Sequence, residues 1–252
     1  MRKAVICILL LLLCGSGIAQ KKGRPAATRK TPIALKPYKF NPDEQLNYSI
    51  LWNNVKAAKM TLTAMSNGEH GRLVELELQT IGVARELVKI NDRFVAHLDE
   101  SLFPVRTQWR IEEGLRKEAG EAVYDRKAGA VTIGEQSYAI ASTAHDLASV
   151  FWALRAVKSG ASTVIDVFSP IEKRSYKIEV EAVGRSELQA ASGPVPTVEL
   201  AVRMRMAEPD KYSVRLWITD DEQRLPLVIK ARPPFGEITM QLADSMPQQE
   251  LN

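Results

Sequence analysis

From Leu46 onward the chain alternates between apolar and polar positions. Leu46, Tyr48, Ile50 and Trp52 stand between Asn47, Ser49, Leu51 and Asn53, and a period of two is that of a half-buried strand. Val74, Leu76 and Leu78 repeat the pattern against Glu75, Glu77 and Gln79, as do Val105, Thr107, Trp109 and Ile111 against Arg106, Gln108 and Arg110. It returns at Tyr176, Ile178 and Val180, at Val198, Leu200, Val202, Met204 and Met206, and at Tyr212, Val214, Leu216 and Ile218. Asn53-Asn54 and Asn67-Gly68 supply tight turns, the second being the strongest hairpin signal in the chain. Further strands are expected at 55–65, 93–98, 118–125, 130–133, 138–140, 163–168, 227–230 and 237–242, with a short helical turn at 83–88.

The period changes once. Between Thr143 and Ser159 the apolar residues are Leu147, Val150, Phe151, Leu154 and Val157, the spacing of one buried helical face. Thr143 and Asp146 are spaced as a capping box, Lys158 falls in the last turn, and Gly160 suits a left-handed terminus. This helix has no helical partner, so its stripe must pack on the strands. The expected fold is mainly β (α+β): a large curved antiparallel sheet or open β-barrel with one long helix against its concave side. No internal repeat and no long linker divides it, so residues 38–245 read as a single β-rich domain.

The ends of the chain change the picture of where it works. Residues 1–19 read as a signal peptide: Arg2 and Lys3, an apolar run from Ala4 to Cys14, then Gly17 and Ala19 before a cleavage point at Gln20. Both cysteines, Cys7 and Cys14, lie inside it, which excludes disulfides, thiol catalysis and thiolate metal ligands in the mature chain. Leu13 precedes Cys14 where lipid-anchor processing wants a small residue, which argues against a lipoprotein. Export is expected, with the periplasm as the first reading and an extracellular location as the alternative. Of 34 basic and 30 acidic residues, eight basic and no acidic ones fall within 1–36, leaving 26 against 30 in the remainder. The basic character therefore belongs to an arm, residues 20–37, read as disordered and suited to weak contact with an anionic envelope surface. A folded body without a net basic face excludes a nucleic-acid partner. Residues 246–252 read as a disordered tail.

Catalytic chemistry finds no footing. His70, His97 and His145 are scattered without metal-ligand spacing, so neither a metal nor another cofactor is expected. No nucleophile elbow or phosphate-cradling glycine loop follows the signal. His145, Asp146 and Ser149 invite a triad, but Asp146 is read more simply as a helix cap. Asp220 and Asp221 sit among turn residues and read as a hairpin loop. No catalytic residue is assigned, and the chain is expected not to be an enzyme. Arg126 and Arg155 are candidates for structural ion pairs with Asp125 or Asp146.

Several stretches fall in an order that resembles a known family: Pro42, Glu44, Leu46, Tyr48, Ile50 and Trp52 at alternate positions; Val123-Tyr124-Asp125-Arg126; Asp146-Leu147 through Arg155; Leu216-Trp217-Ile218-Thr219-Asp220-Asp221 to Arg224-Leu225-Pro226; and Phe235-Gly236. Together they resemble the bacterial exported proteins of domain-of-unknown-function family 3108, which implies a fold and a compartment but no activity. More loosely, strands around one helix are similar to the open-barrel carriers of lipoproteins and lipids in the bacterial envelope.

An apolar inventory remains. Phe151 and Trp152 point about 100° apart on a helix, the first into the sheet and the second towards a cavity mouth. Trp217 opposes Leu216 and Ile218, giving its strand apolar bulk on both faces. With Trp52 and Trp109 these form the candidate ligand-binding set: Trp52, Trp109, Phe151, Trp152 and Trp217. The expected function is non-enzymatic: holding a hydrophobic ligand, such as an acyl chain, a lipid or a lipidated partner protein, between curved sheet and helix. The alternative is a periplasmic interaction or scaffold module that binds protein through an open sheet edge.

Overall fold

The computed structural model describes residues 36, 38–67, 71–158, 162–204, 214–234 and 236–243. The stretch expected to be a signal peptide, nearly all of the expected basic arm, the expected tail, His70, the Gly68 turn position, Gly160, Met206, Tyr212 and Phe235 lie outside these residues. Fourteen strands form one sheet in which every pairing is antiparallel. Eight come from the first part of the chain: β1 (Glu44–Trp52), β2 (Val55–Asn67), β3 (Gly71–Thr80), β4 (Asn91–Leu98), β5 (Pro104–Glu113), β6 (Arg116–Asp125), β7 (Ala130–Ile133) and β8 (Gln136–Ala139). Six follow: β9 (Thr163–Ser169), β10 (Arg174–Ala190), β11 (Gly193–Met204), β12 (Val214–Thr219), β13 (Pro226–Ala231) and β14 (Ile238–Leu242). Each group is a meander of sequential neighbours, and β1 pairs with β14 to join them, so β8 and β9 are the two sheet edges. Among the described residues there are two short helices: α1 (Gly82–Leu87), where a helical turn was expected, and α2 (Val150–Arg155).

One face of this sheet is buried from edge to edge in a single cluster. It takes Leu46, Tyr48 and Ile50 from β1, Leu76 and Leu78 from β3, Leu216 and Ile218 from β12, and shares them with Leu147, Phe151, Trp152 and Leu154 of the segment between β8 and β9. Laid flat, fourteen strands would span roughly 60 Å, whereas six helical residues span about 9 Å. So short a helix covers that face only because the sheet curls. The edges meet across a seam: Phe168 of β9 lies 6.1 Å from the Tyr138 ring of β8 and 6.4 Å, edge-on, from the Tyr124 ring of β6. No strand pairing joins β8 to β9, so the sheet is not closed.

Bulges reset the inward face at two places where strict alternation misleads. Ile50 pairs with Ala58 and Leu51 with Lys56, so Ala57 is an extra residue on β2. Beyond that point Leu51 turns inward at 9% exposure and Trp52 outward at 43%. On β5 the pairing steps from Arg106 to Pro104, which leaves Val105 bulged and exposed. An inserted residue inverts every later side chain on a strand of period two.

The long helix expected over Thr143–Ser159 is not present; α2 is six residues. Two commitments upstream prevent an earlier start. His145 gives its backbone to β9, its N–H to Asp166 O at 2.8 Å and its carbonyl to Phe168 N at 2.8 Å. The Asp146 carboxylate then accepts from Ala148 N and Ser149 N, while Ser149 Oγ accepts from Asp146 N. Such local side-chain bonds satisfy the backbone in a turn and compete with a helix. Asp146, and not Thr143, caps the turn, since the Thr143 hydroxyl donates to Asp166.

Candidate functional site

The segment from Ile140 to Lys158 crosses from edge to edge and fills the inside of the curl. Ala144 to Val150 are all buried, with Phe151, Trp152, Leu154, Arg155 and Val157 beyond them. Two polar clusters fasten it. At its start, Asp146 accepts a short hydrogen bond from the Thr107 hydroxyl of β5, which also lies 3.5 Å from the Tyr124 hydroxyl. His145 stacks on Phe103 at 4.7 Å, and the Arg126 guanidinium lies 3.9 Å over the same Phe103 ring. Arg126 also pairs with Asp99 at 2.7 Å and donates to Ser142 O, so its partner is neither Asp125 nor Asp146. Burial pushes the His145 imidazole down to about 4, and the Arg126 charge acts in the same direction.

At its end, Arg155 is 1% exposed and grips Glu44 of β1 bidentately, with a further 2.8 Å bond to Gln223 O. Tyr38 lies against the Arg155 guanidinium at 4.7 Å. Arg224, 2% exposed, donates to Val157 O at 2.7 Å; burial, with Arg155 as the next cause, lowers it to about 10. The Arg155–Glu44 pair thus ties the crossing segment to the first strand, and neither Asp125 nor Asp146 takes part. A fully desolvated, bidentate pair holds its geometry firmly, because each charge left alone would be costly.

The three residues that suggest a triad do not form one. His145 Nδ1 stands 3.3 Å from Ser149 Oγ, but the Asp146 oxygens are taken by Thr107 and by backbone N–H groups. Asp146 and Ser149 are fully buried and His145 is nearly so. Among the described residues no group of three His, Cys, Asp or Glu side chains comes together as a metal site. A different acid is perturbed by its surroundings. Asp92, buried near the start of β4, accepts from Glu112 N at 2.9 Å, and burial raises it to about 7.

The five candidate ligand residues divide. Trp109, Phe151 and Trp152 belong to the common core inside the curl. Trp152 is 1% exposed and therefore does not stand at a cavity mouth as its helical angle suggested. Trp217, half-buried and paired with Val228, packs at the margin of the same core, whereas Trp52 is not brought there and faces outward at the end of β1. The Trp109 ring lies across Gly120 of the neighbouring strand, where an added Cβ would fall 2.3 Å from Trp109 Cζ2. The indole N–H groups of Trp109 and Trp152 are buried and have no acceptor among the described residues. Sequence reasoning missed the Arg155–Glu44 pair, whose members are 111 residues apart, and no local signal marks it.

A model of a protein family, described as a protein of unknown function (DUF3108), matches residues 47–243. This chain belongs to the DUF3108 family. No curated protein matches it. Among solved structures, the DUF3108 chain is similar in fold to a β-barrel-like protein of domain of unknown function DUF1849 from Brucella abortus. The TM-score is 0.56 at 8% identity, over 81% of this chain and 98% of that one. The hypothetical protein CT021 from Chlamydia trachomatis matches over 80% of this chain and 85% of its own at 7% identity, with a TM-score of 0.36 that carries no weight for the fold. The barrel-like architecture of this DUF3108 member thus has a solved counterpart.

Proposed function

We propose that this chain is a non-enzymatic, exported envelope protein that holds a hydrophobic ligand (an acyl chain, a lipid or a lipidated partner) inside its curled sheet. The observation that carries the reading is the pair of buried indole N–H groups, on Trp109 and Trp152, among the apolar side chains of the core. A buried donor left unpaired is costly, and natural proteins rarely keep one without a bound molecule to use it. A ligand that is mostly hydrocarbon with an ester or carboxyl oxygen matches such a lining. The seam between β8 and β9 supplies an entrance, since it is held by the crossing segment and by ring contacts and can part without breaking a strand ladder.

Native mass spectrometry of protein taken from its own envelope tests this. Bound lipid is expected, and Trp152→Phe, which removes the N–H and keeps most of the bulk, should lower its occupancy. Absence of lipid, together with unchanged behaviour of Trp152→Phe, refutes the reading. One observation favours a second function. The edge strand β8 is mostly exposed and pairs only with β7 in the sheet, so it offers a partner protein an open ladder. Crosslinking from positions 136–139 in cells would capture that partner.

A further inference from the structure

The turns at one end of the barrel carry an exposed apolar rim, and the structure assigns it as a docking surface for an anionic lipid bilayer. In a meander the β1–β2, β3–β4 and β5–β6 connections all lie at the same end. The contacts between them agree: Ile81 N donates to Ala57 O beside the first connection, and Gly114 N donates to Lys89 O between the second and third. Trp52 (43% exposed) and Val55 (60%) flank the Asn53-Asn54 turn, Val83 (74%) and Leu87 (72%) stand four residues apart on α1, and Leu115 (103%) tips the β5–β6 turn. These are five of the nine large apolar side chains exposed among the described residues. The helix α1 buries none of its residues, so Val83 and Leu87 contribute nothing to the core that would explain them.

Charge and shape choose the occupant. Lys56, Arg85, Lys89 and Lys117 are exposed on the same rim, and no carboxylate pairs with them among the described residues. Glu86 is the exposed acid among them, whereas Glu113 and Glu118 are engaged by Arg116. The apolar groups stand on separate projecting turns spread over five strand spacings, roughly 20–25 Å. A protein partner would need a matching hollow for each tip; a fluid interface accepts all of them at once, with the cations at the headgroup level. The docking surface does not depend on a ligand inside the barrel, so its failure would leave that reading standing.

The experiment is flotation of the purified mature chain with vesicles containing phosphatidylglycerol, against vesicles of phosphatidylcholine alone. Binding to the anionic vesicles is expected, weakening with salt. Leu115→Asp should lower the partition constant about tenfold and Val83→Ser with Leu87→Ser about a hundredfold, since losing one buried aliphatic side chain is worth about a decade in partitioning. The melting temperature should not move, because these side chains are already in water. Val164→Asp, on the exposed face of edge strand β9, should bind as the unchanged protein does. The assignment is overturned if the unchanged protein does not float with anionic vesicles, or if the rim variants float as well as it does. It is equally overturned if those variants lose a crosslinked protein partner and no vesicle binding.

Discussion

Replacing Asp92 with Asn should give a nearly flat stability profile a slope, with stability rising from acid to neutral pH. Burial holds the Asp92 carboxyl near 7 instead of its ordinary 3.8, with Glu113 acting in the same direction and the Glu112 N–H and Arg116 opposing. Below about pH 4 both folded and unfolded chains carry the proton, and the contribution is fully present. As pH rises from 4 to 7 the unfolded chain ionises while the folded one does not, so stability falls by about 1.4 kcal/mol per unit, about 4 kcal/mol in all, and is level above 7. His145 works against this. Its imidazole is depressed from 6.5 to about 4, so its contribution is present above 6.5 and about 3 kcal/mol is lost as pH falls through 4. In the unchanged protein the two slopes nearly cancel between about pH 4 and 6.5. Asn keeps an oxygen to accept from Glu112 N, so the fold should survive the substitution. Equilibrium urea unfolding from about pH 4 to about pH 8 should then show Asp92→Asn more stable than the unchanged protein at neutral pH and steadily weaker towards acid. His145→Gln should show the reverse slope. An Asp92→Asn profile parallel to that of the unchanged protein would refute the argument, because it would mean that the buried carboxyl holds no proton.

Gly120→Ala should destabilise by about 1–3 kcal/mol, because its Cβ would enter the Trp109 ring; thermal melts of the single and double variants with Trp109→Leu should show that the two costs do not add. Arg155→Met should cost about 3–5 kcal/mol by leaving Glu44 buried and unpaired, and a second change, Glu44→Gln, should recover part of it in the same denaturation assay. Trp152→Ala should cost about 3–5 kcal/mol of unfolding free energy, and Trp52→Ala, at an outward-facing and half-covered ring, clearly less in the same assay.

Strand identity was legible because burial on one side writes a period of two into the chain, and Leu76, Leu78, Leu216 and Ile218 face inward as their spacing says. The turn at Asn53-Asn54 was equally plain, and both residues have positive φ, 48° and 67°. Bulges were not legible, since an extra residue such as Ala57 or Val105 has no side-chain signature of its own, and so Val105 was placed on the wrong face, as was Trp52 beside the shifted β1–β2 register. The β10–β11 hairpin runs on from Glu181 to Ala190 and back from Gly193, through Gly184, Pro194 and Pro196, residues that blur any alternation. Helical spacing from Leu147 to Val157 was real burial but not real helix. Ala144 to Phe151 are buried without interruption, and the choice between helix and turn was made by where the polar atoms of Asp146 and Ser149 bond. The burial of Phe151 was visible in its spacing, Trp152 was expected at a cavity mouth and is buried beside it, and the ion pair that fastens the segment depends on tertiary geometry.

The pairing of β1 with β14 carries a consequence for the order of assembly. Every other ladder joins strands adjacent in the chain, so each can zip locally, at small loop-closure entropy. The ladder between Tyr48 and Leu242 must wait for almost the whole described chain. Until it forms, β1 is an open edge of an eight-strand meander, bearing Leu46, Tyr48 and Ile50 on a face that nothing yet covers. The slow, aggregation-prone stage of folding is therefore the meeting of two half-sheets, and a holdase that masks the β1 edge should raise the folded yield more than one acting on any later strand.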